Sequence, residues 1–324
     1  MKKGDLRILF MGTPEFAVES LKMLVENGYN VVGVVTMPDK PAGRGYKLKS
    51  SPIKQYALEK GLKILQPEKL KSESFLQELK DLRADLQVVV AFRMLPEVVW
   101  SMPPKGTFNL HSSLLPQYRG AAPINWAIIN GEKETGVTTF FLSHEIDTGE
   151  IIFSKSTEIY RSDNAETLHD RLMVMGAALV LKTVDAVIDG RISSKPQNEL
   201  IADDYKLKPA PKIFTEDCRV DWNKSAEEIF NFIRGLSPYP TAWTELYRKD
   251  TGETLRVKLY ASSIVENVIT ENITGKIISN KKHIDVVVKD GLLRITDLQL
   301  SGKKRMSATD FLNGYSLDED SFFA

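Results

Sequence analysis

The stretch Phe108-Asn109-Leu110-His111-Ser112-Ser113-Leu114-Leu115-Pro116, continuing through Tyr118-Arg119-Gly120-Ala121-Ala122-Pro123, holds the residue types best suited to chemistry. Asn109 and His111 lie two apart in an apolar, strand-like setting, so both side chains point to one face. An amide donor beside an imidazole suits acyl transfer: one group holds a developing oxyanion and the other handles a proton. Asp147, in His144-Glu145-Ile146-Asp147-Thr148-Gly149, follows His111 by 36 residues and could complete the set. A lone histidine is more often a satisfied core residue, but the neighbours of His111 favour catalysis. His144 reads as a surface residue, while His169, on a long helical run, and His283, in a polar turn, read as inert. Asn125 and Trp126 read as packing rather than chemistry.

The elements that must position these groups follow from periodicity and punctuation. Residues 6–11 form a short apolar run, hence a strand; Gly12-Thr13-Pro14-Glu15 ends it, with Thr13 a candidate cap and Pro14 a suitable first helical residue. A helix to about Asn27, with Gly28 as its stop, leads to a strand over 31–36 and a polar loop over 37–50. Helices over 53–60 and 73–82 then alternate with strands over 63–65, 86–91 and 107–110. Such βαβ alternation predicts an α/β domain, a Rossmann-like, mostly parallel sheet with helices on both faces. Ligands in such sheets gather at the carboxyl ends of the strands, where Asn109 and His111 fall. A long helix over 164–189 closes this part, and residues 195–211, rich in proline and polar residues, read as a linker. Ser225-Ala226-Glu227-Glu228 is a capping box opening a helix that stops near Gly235. Short β-rich runs over 242–246, 255–261, 275–279, 284–288 and 292–300 imply a small barrel or sandwich. The expected division is 1–205, a linker at 206–212, and a C-terminal domain at 213–324.

Composition narrows the function classes. The 324 residues suffice for two domains and are 42% hydrophobic and 27% charged. No apolar run approaches the roughly 20 residues that span a bilayer, and the start, Met-Lys-Lys-Gly-Asp-Leu-Arg, has no signal core, so the cytoplasm is expected. The single cysteine, Cys218, excludes an internal disulfide and a cysteine-cluster zinc site; Asp217 and Arg219 beside it suggest an exposed turn. Forty-three basic residues balance 43 acidic ones, which argues against a wholly basic nucleic-acid coat but permits local patches. Those patches are Lys40, Arg44, Lys47, Lys49 and Lys54, opposed by Asp39; Lys206, Lys208 and Lys212; and Lys303, Lys304 and Arg305. The first strand–helix turn lacks G-x-G-x-x-G, which argues against a nicotinamide cofactor, and no P-loop is present.

Taken together, the motifs resemble those of the methionyl-tRNA formyltransferase family. They are Gly12-Thr13-Pro14-Glu15-Phe16-Ala17, Pro38-Asp39-Lys40-Pro41-Ala42-Gly43-Arg44-Gly45, the Asn109-to-Pro123 block, Glu134-Thr135-Gly136-Val137-Thr138, Asp147-Thr148-Gly149, Lys212-Ile213, Asp221-Trp222 and Gly302-Lys303-Lys304. The Asn-x-His and Ser-Leu-Leu-Pro core is shared across the wider 10-formyltetrahydrofolate-using superfamily, so by itself it specifies chemistry and not the acceptor. One departure is Phe92-Arg93, where a Tyr-Gly pair is expected in a loop that the resemblance places, through its backbone, beside the pterin.

The resemblance implies an enzyme that moves a formyl group from 10-formyltetrahydrofolate to the α-amine of methionine on initiator tRNA, with no metal. It implies Asn109, His111 and Asp147 as the catalytic trio, and Ser113, Leu114, Leu115 and Pro116 as lining the folate site. It implies tRNA contact through Arg44, Lys47 and Lys49 of the 37–50 loop, and through Lys206, Lys208, Lys303 and Lys304. The C-terminal domain becomes a small OB-like β-barrel that binds tRNA, and nothing demands more than a monomer. Three other readings remain. A formyltransferase for a small amine, such as an amino sugar nucleotide or glycinamide ribonucleotide, shares the trio but needs neither basic loop nor barrel. A formyl-folate hydrolase usually carries a domain ahead of the core, which here begins at residue 6. A non-catalytic tRNA- or folate-binding protein would not need the intact trio.

Overall fold

A computed structural model of the chain describes residues 2–42, 47–201, 206–248, 252–266, 268, 273–280, 282–317 and 320–324. The chain forms two compact units: Met1–Gly120, Thr135–Thr157 and His169–Pro209 make one, and Ala121–Glu134, Glu158–Leu168 and Ala210–Ala324 the other.

In chain order the first elements are β1 (Arg7–Gly12), α1 (Glu15–Glu26), β2 (Asn30–Val35), β3 (Lys40–Ala42), β4 (Lys47–Lys49), α2 (Pro52–Glu59), β5 (Ile64–Leu65), α3 (Glu73–Leu82), β6 (Leu86–Val90), α4 (Glu97–Trp100) and β7 (Thr107–His111). Then come α5 (Pro123–Ile129), β8 (Glu134–Phe141), β9 (Ile151–Glu158) and α6 (Ala165–Ile188). Seven strands form the first sheet in the order β5-β2-β1-β6-β7-β8-β9, and β3 pairs with β4 in a separate hairpin. The pairs from β5 through β7 are parallel, and β8 turns antiparallel against β7. The chain builds outward from β1 in one direction and from β6 in the other, so the two strands flank a topological switch.

The sheet is buried on both faces, as the continuous apolar runs require. Leu9, Met11, Val35 and Val89 pack with Phe75, Leu79 and Leu82 of α3. The alternate residues Ile8, Phe10, Val88 and Val90 face the other way and are also fully buried. Each such side chain contributes roughly 1.5–3 kcal/mol through burial. At Gly176 of α6, a methyl group would come within 2.6 Å of Leu110 Cδ2. Helix α6 therefore covers the Leu110 face of β7, and Asn109 and His111 project to the opposite one.

The second unit's elements continue as α7 (Ala226–Leu236), β10 (Ala242–Arg248), β11 (Glu253–Val265), β12 (Ile277–Ser279), β13 (Ile284–Val288), β14 (Gly291–Leu300), β15 (Met306–Ser307), α8 (Ala308–Gly314) and β16 (Phe322–Phe323). Its antiparallel sheet runs β12-β13-β14-β11-β10-β16, with β15 on β14. A bridge between Lys276, one residue ahead of β12, and Phe322 nearly closes this sheet into a barrel. Register shifts near Leu259 and Ala261 bend the long β11, as closure needs. Helix α7 opens with the expected capping box and lays Ile229, Ile233 and Leu236 on the barrel core. Trp222 stacks on Phe323 with ring centroids 5.5 Å apart and donates its indole N–H to Thr244.

Two local expectations are corrected. Pro14 is the N-cap of α1 and Glu15 its first residue; Thr13 does not cap, and its buried hydroxyl has no hydrogen-bond partner among the described residues. Cys218 is not exposed: it is 1% accessible, and its thiol donates to the Phe214 carbonyl. Cys218 ends a one-turn 3-10 helix, Glu216–Cys218, that turns its thiol inward, and Val220 and Trp222 follow it into the core along the extended stretch beyond, while Asp217, Arg219 and Asp221 face solvent. Burial pushes the thiol up to about 11. Among the described residues no helix is long and apolar enough to cross a membrane.

Candidate active site

Strand β7 ends at His111, at the carboxyl edge of the parallel sheet, beside the loop that follows β6. His111 is 6% accessible. Its Nε2 lies 2.8 Å from the Tyr118 carbonyl oxygen. A carbonyl only accepts, so this contact assigns the proton of the neutral ring to Nε2 and leaves the lone pair on Nδ1. Nδ1 faces Asp147 Oδ2 at 3.9 Å, within ion-pair distance and beyond a direct hydrogen bond. The Asn109 side-chain amide, half-buried on the same face of β7, has no hydrogen-bond partner among the described residues. The structure therefore brings His111 and Asp147 together and leaves the amide of Asn109 available nearby.

Asp147 is held in a conformation that costs energy. Its φ is +55°, a left-handed value that costs a residue other than glycine about 1–3 kcal/mol. The Gly120 N–H donates to its Oδ2 at 2.9 Å. Gln197 Nε2 donates to the carbonyl oxygens of Asp147 and Gly149, both at 2.8 Å. Arg119 donates to Gln197 Oε1 through Nη2 at 2.6 Å and Nε at 3.1 Å. Burial pulls the Arg119 guanidinium below its usual range, while Asp147 and Glu145 raise it. A Cβ at Gly149 would lie 1.7 Å from the Phe141 carbonyl oxygen, which is why glycine ends Asp147-Thr148-Gly149.

The turn after His111 is anchored from β8. Thr138 Oγ1 donates to the Ser113 carbonyl at 2.7 Å and accepts from the Leu115 N–H at 3.2 Å. Ser113 is fully buried, and its hydroxyl donates to the Gln117 carbonyl, so it is committed to the turn. Leu115 and Pro116 are buried and Leu114 half-buried. A Cβ at Gly136 would lie 2.2 Å from the Lys155 carbonyl and 2.6 Å from Leu114 Cδ2, so Leu114 packs over this glycine. In the loop after β6, Arg93 needs no left-handed backbone; Ala91 holds the positive φ, +46°. The Arg93 guanidinium donates to the carbonyls of Pro67 and Glu68, at 2.5 and 2.9 Å, and staples this loop to the segment before α3.

The basic residues scatter. Arg44 lies outside the described residues; Lys47 and Lys49 are on β4, paired by backbone with β3, and their side chains lie outside the description. Lys54 is paired with Asp39 at 2.5 Å, which holds the Asp39 carboxyl below the usual range. Lys206 and Lys208 are exposed, and their backbone is tied to the catalytic turn: Gln117 reaches the Lys206 carbonyl and the Lys208 N–H, and the Tyr118 N–H donates to the Lys208 carbonyl. Lys303 and Lys304 sit on an exposed turn after β14, while Arg305 is paired with Asp297 and lies over the Tyr260 ring. Among the described residues no group of three His, Cys, Asp or Glu side chains could hold a metal ion.

Sequence reasoning missed the groups that set the pair: the Tyr118 carbonyl, the Gly120 N–H, Arg119 and Gln197. The first two are backbone atoms that residue type does not announce. Gln197, only 2% accessible, sits in a one-turn helix inside a stretch whose prolines and polar residues read as a linker.

The chain is similar to known proteins along its whole length. Residues 6–184 match the formyl transferase family model, and residues 212–316 match the formyl transferase C-terminal domain. Methionyl-tRNA formyltransferase of Parabacteroides distasonis is 62% identical over 318 residues, covering 97% of both chains. The enzyme of that name from Bacteroides fragilis is 58% identical and covers 98% of both, and that from Porphyromonas gingivalis is 52% identical and covers 99% of both. Among solved structures, a sugar 3N-formyl transferase crystallised with dTDP and 5-N-formyl-THF superposes with a TM-score of 0.64 at 20% identity, over 92% of this chain and 99% of that one. An N-formyltransferase from Helicobacter canadensis, with folinic acid and dTDP-3-aminofucose, gives 0.64 at 20% identity, over 93% and 100%. With two family domains matched and relatives above half identity along the whole length, the chain belongs to the methionyl-tRNA formyltransferase family.

Proposed function

We propose that this enzyme transfers the formyl group of 10-formyltetrahydrofolate to the α-amino group of methionine carried by initiator tRNA, through Asn109, His111 and Asp147. The observation that carries the reading is the polarity of His111: Nε2 is engaged by the Tyr118 carbonyl, and Nδ1 stands free towards Asp147. Nδ1 takes a proton as the amine nitrogen bonds to the formyl carbon. The carboxylate opposite gives the imidazolium a counter-charge. The carbonyl oxygen becomes an oxyanion, to which the Asn109 amide donates; one such donor typically supplies about 3–4 kcal/mol. As the tetrahedral carbon collapses, its bond to the folate nitrogen breaks, and that nitrogen takes the proton held at Nδ1. Alignment of amine and formyl group contributes further, up to about 7–11 kcal/mol in favourable cases.

The folate is expected over the ends of β6 and β7, between the loop 91–96 and the Ser113–Pro116 turn. That turn offers mainly backbone and the apolar surface of Leu114, since the Ser113 hydroxyl is occupied. The tRNA contacts are assigned to Arg44, Lys47, Lys49, Lys206, Lys208, Lys303 and Lys304, with the barrel of residues 213–324 holding the tRNA body. The chain works in the cytoplasm, as a monomer and without a metal. The acceptor is the point to test: initial rates with charged initiator tRNA are compared with rates for an amino sugar nucleotide and for glycinamide ribonucleotide. The tRNA should be strongly preferred, and equal or faster transfer to either small amine would overturn the assignment.

A further inference from the structure

Asp147 occupies a strained backbone conformation, and the groups that enforce it converge from two directions. The tripeptide Tyr118-Arg119-Gly120 serves the His111–Asp147 pair at three points. Its first carbonyl fixes His111, its last N–H fixes the Asp147 carboxylate, and its middle side chain grips Gln197. Gln197 then reaches over the loop and donates to the carbonyls on both sides of Thr148. The buried Gln197 amide is directional: because Arg119 donates to its oxygen, its nitrogen must face the two carbonyls. We propose that Gln197, oriented by Arg119, is a positioning residue that holds the Asp147 carboxylate opposite Nδ1 of His111 while the proton is transferred. The proposal rests on the formyl-transfer reading of the trio.

The physical case is one of leverage. Both arms of the clamp are charge-assisted or buried hydrogen bonds, the class that costs most to lose. Without the Gln197 donors, two loop carbonyls lose their partners and the strained φ at Asp147 can relax. A shift of about 1 Å in a catalytic group can cost on the order of a hundredfold in rate. Gln197 also lines a cavity of about 530 Å³ with Arg119, Ser143, Thr148 and Gly149, so a side chain of similar size can be tolerated at that position.

The test uses the full chain, with charged initiator tRNA and 10-formyltetrahydrofolate. Gln197→Leu should lower kcat by about ten- to a hundredfold, with KM for tRNA within about twofold of wild type. Gln197→Glu keeps a partner for Arg119 but turns two donors into a carboxylate facing carbonyl oxygens. Its kcat should fall similarly at neutral pH, and its rate relative to wild type should recover as pH drops and the new carboxyl regains a donor proton. A purely structural role would move melting temperature without that pH-dependent recovery. If Gln197→Leu does not fold, Gln197→Glu decides. A Gln197 variant with wild-type kcat and pH profile, alongside an inactive His111→Ala, overturns the clamp alone. Wild-type activity in His111→Ala overturns the reading of the trio and the clamp with it.

Discussion

The two nitrogens of one imidazole are given different tasks by their surroundings. Nε2 of His111 is held by a backbone carbonyl, and Nδ1 is left towards Asp147. In the proposed mechanism the Asn109 amide, which has no hydrogen-bond partner among the described residues, is the oxyanion donor. Asn109→Ala should lower kcat by about 10²–10³-fold with little change in KM, because an oxyanion contact forms only in the transition state; steady-state kinetics checks this. Asp147→Asn tolerates the left-handed backbone and can still accept from Gly120, so it isolates the charge. It should lower kcat by up to about 10²–10⁴-fold, the range of an acid–base contribution, while the melting temperature stays near wild type. Asn109, His111 and Asp147 were legible as candidates because two of them share one face of a strand that ends at the carboxyl edge of the parallel sheet. The partners that orient it were not, since a carbonyl, an N–H and a glutamine in a proline-rich stretch leave no periodic trace.

At the level of elements, close backbone approaches fix the shape of the site. The Asp147 loop passes so near the Phe141 carbonyl that Gly149→Ala should displace the loop, lowering both activity and melting temperature. A fully active, equally stable Gly149→Ala enzyme would show that the contact does not constrain the loop. Helices with clear apolar spacing, such as α3, and runs such as β13 were readable from the chain at their true bounds. Where the reading slipped, a competing local rule had won. Pro14 took the cap position that Thr13 was expected to fill. At Cys218, two charged neighbours suggested exposure, although the single 3-10 turn that it ends points its side chain into the core. The two-residue strands β15 and β16 are too short to carry a pattern, yet β16 provides the bridge that nearly closes the barrel.

At the level of the whole molecule, α/β layering and a β-rich C-terminal part were both visible in the order of periodicities. Less visible was that residues 121–134 and 158–168 pack with residues 210–324. Arg161 pairs with Glu227 through two bonds of 3.0 Å, and Asn125 donates to the Gly235 carbonyl at 2.8 Å. Such partners are set by contacts between distant segments, which one sequence does not display. The buried Cys218 gives the barrel a pH signature. Its thiol sits at about 11 when folded against 9.0 as its reference, so the unfolded chain loses that proton first. Its stabilising contribution is complete below the reference value and should fade as pH rises from 9.0 towards about 11. Thermal melts of wild type and Cys218→Ala should therefore change their difference across that window and keep it constant below. The central claim is that His111 carries the proton, and it is tested most directly by single-turnover formyl transfer to charged initiator tRNA, comparing wild type with His111→Ala. A loss of several orders of magnitude with tRNA affinity retained is predicted, up to about 10⁴-fold for an acid–base group; a variant within about tenfold of wild type would contradict it.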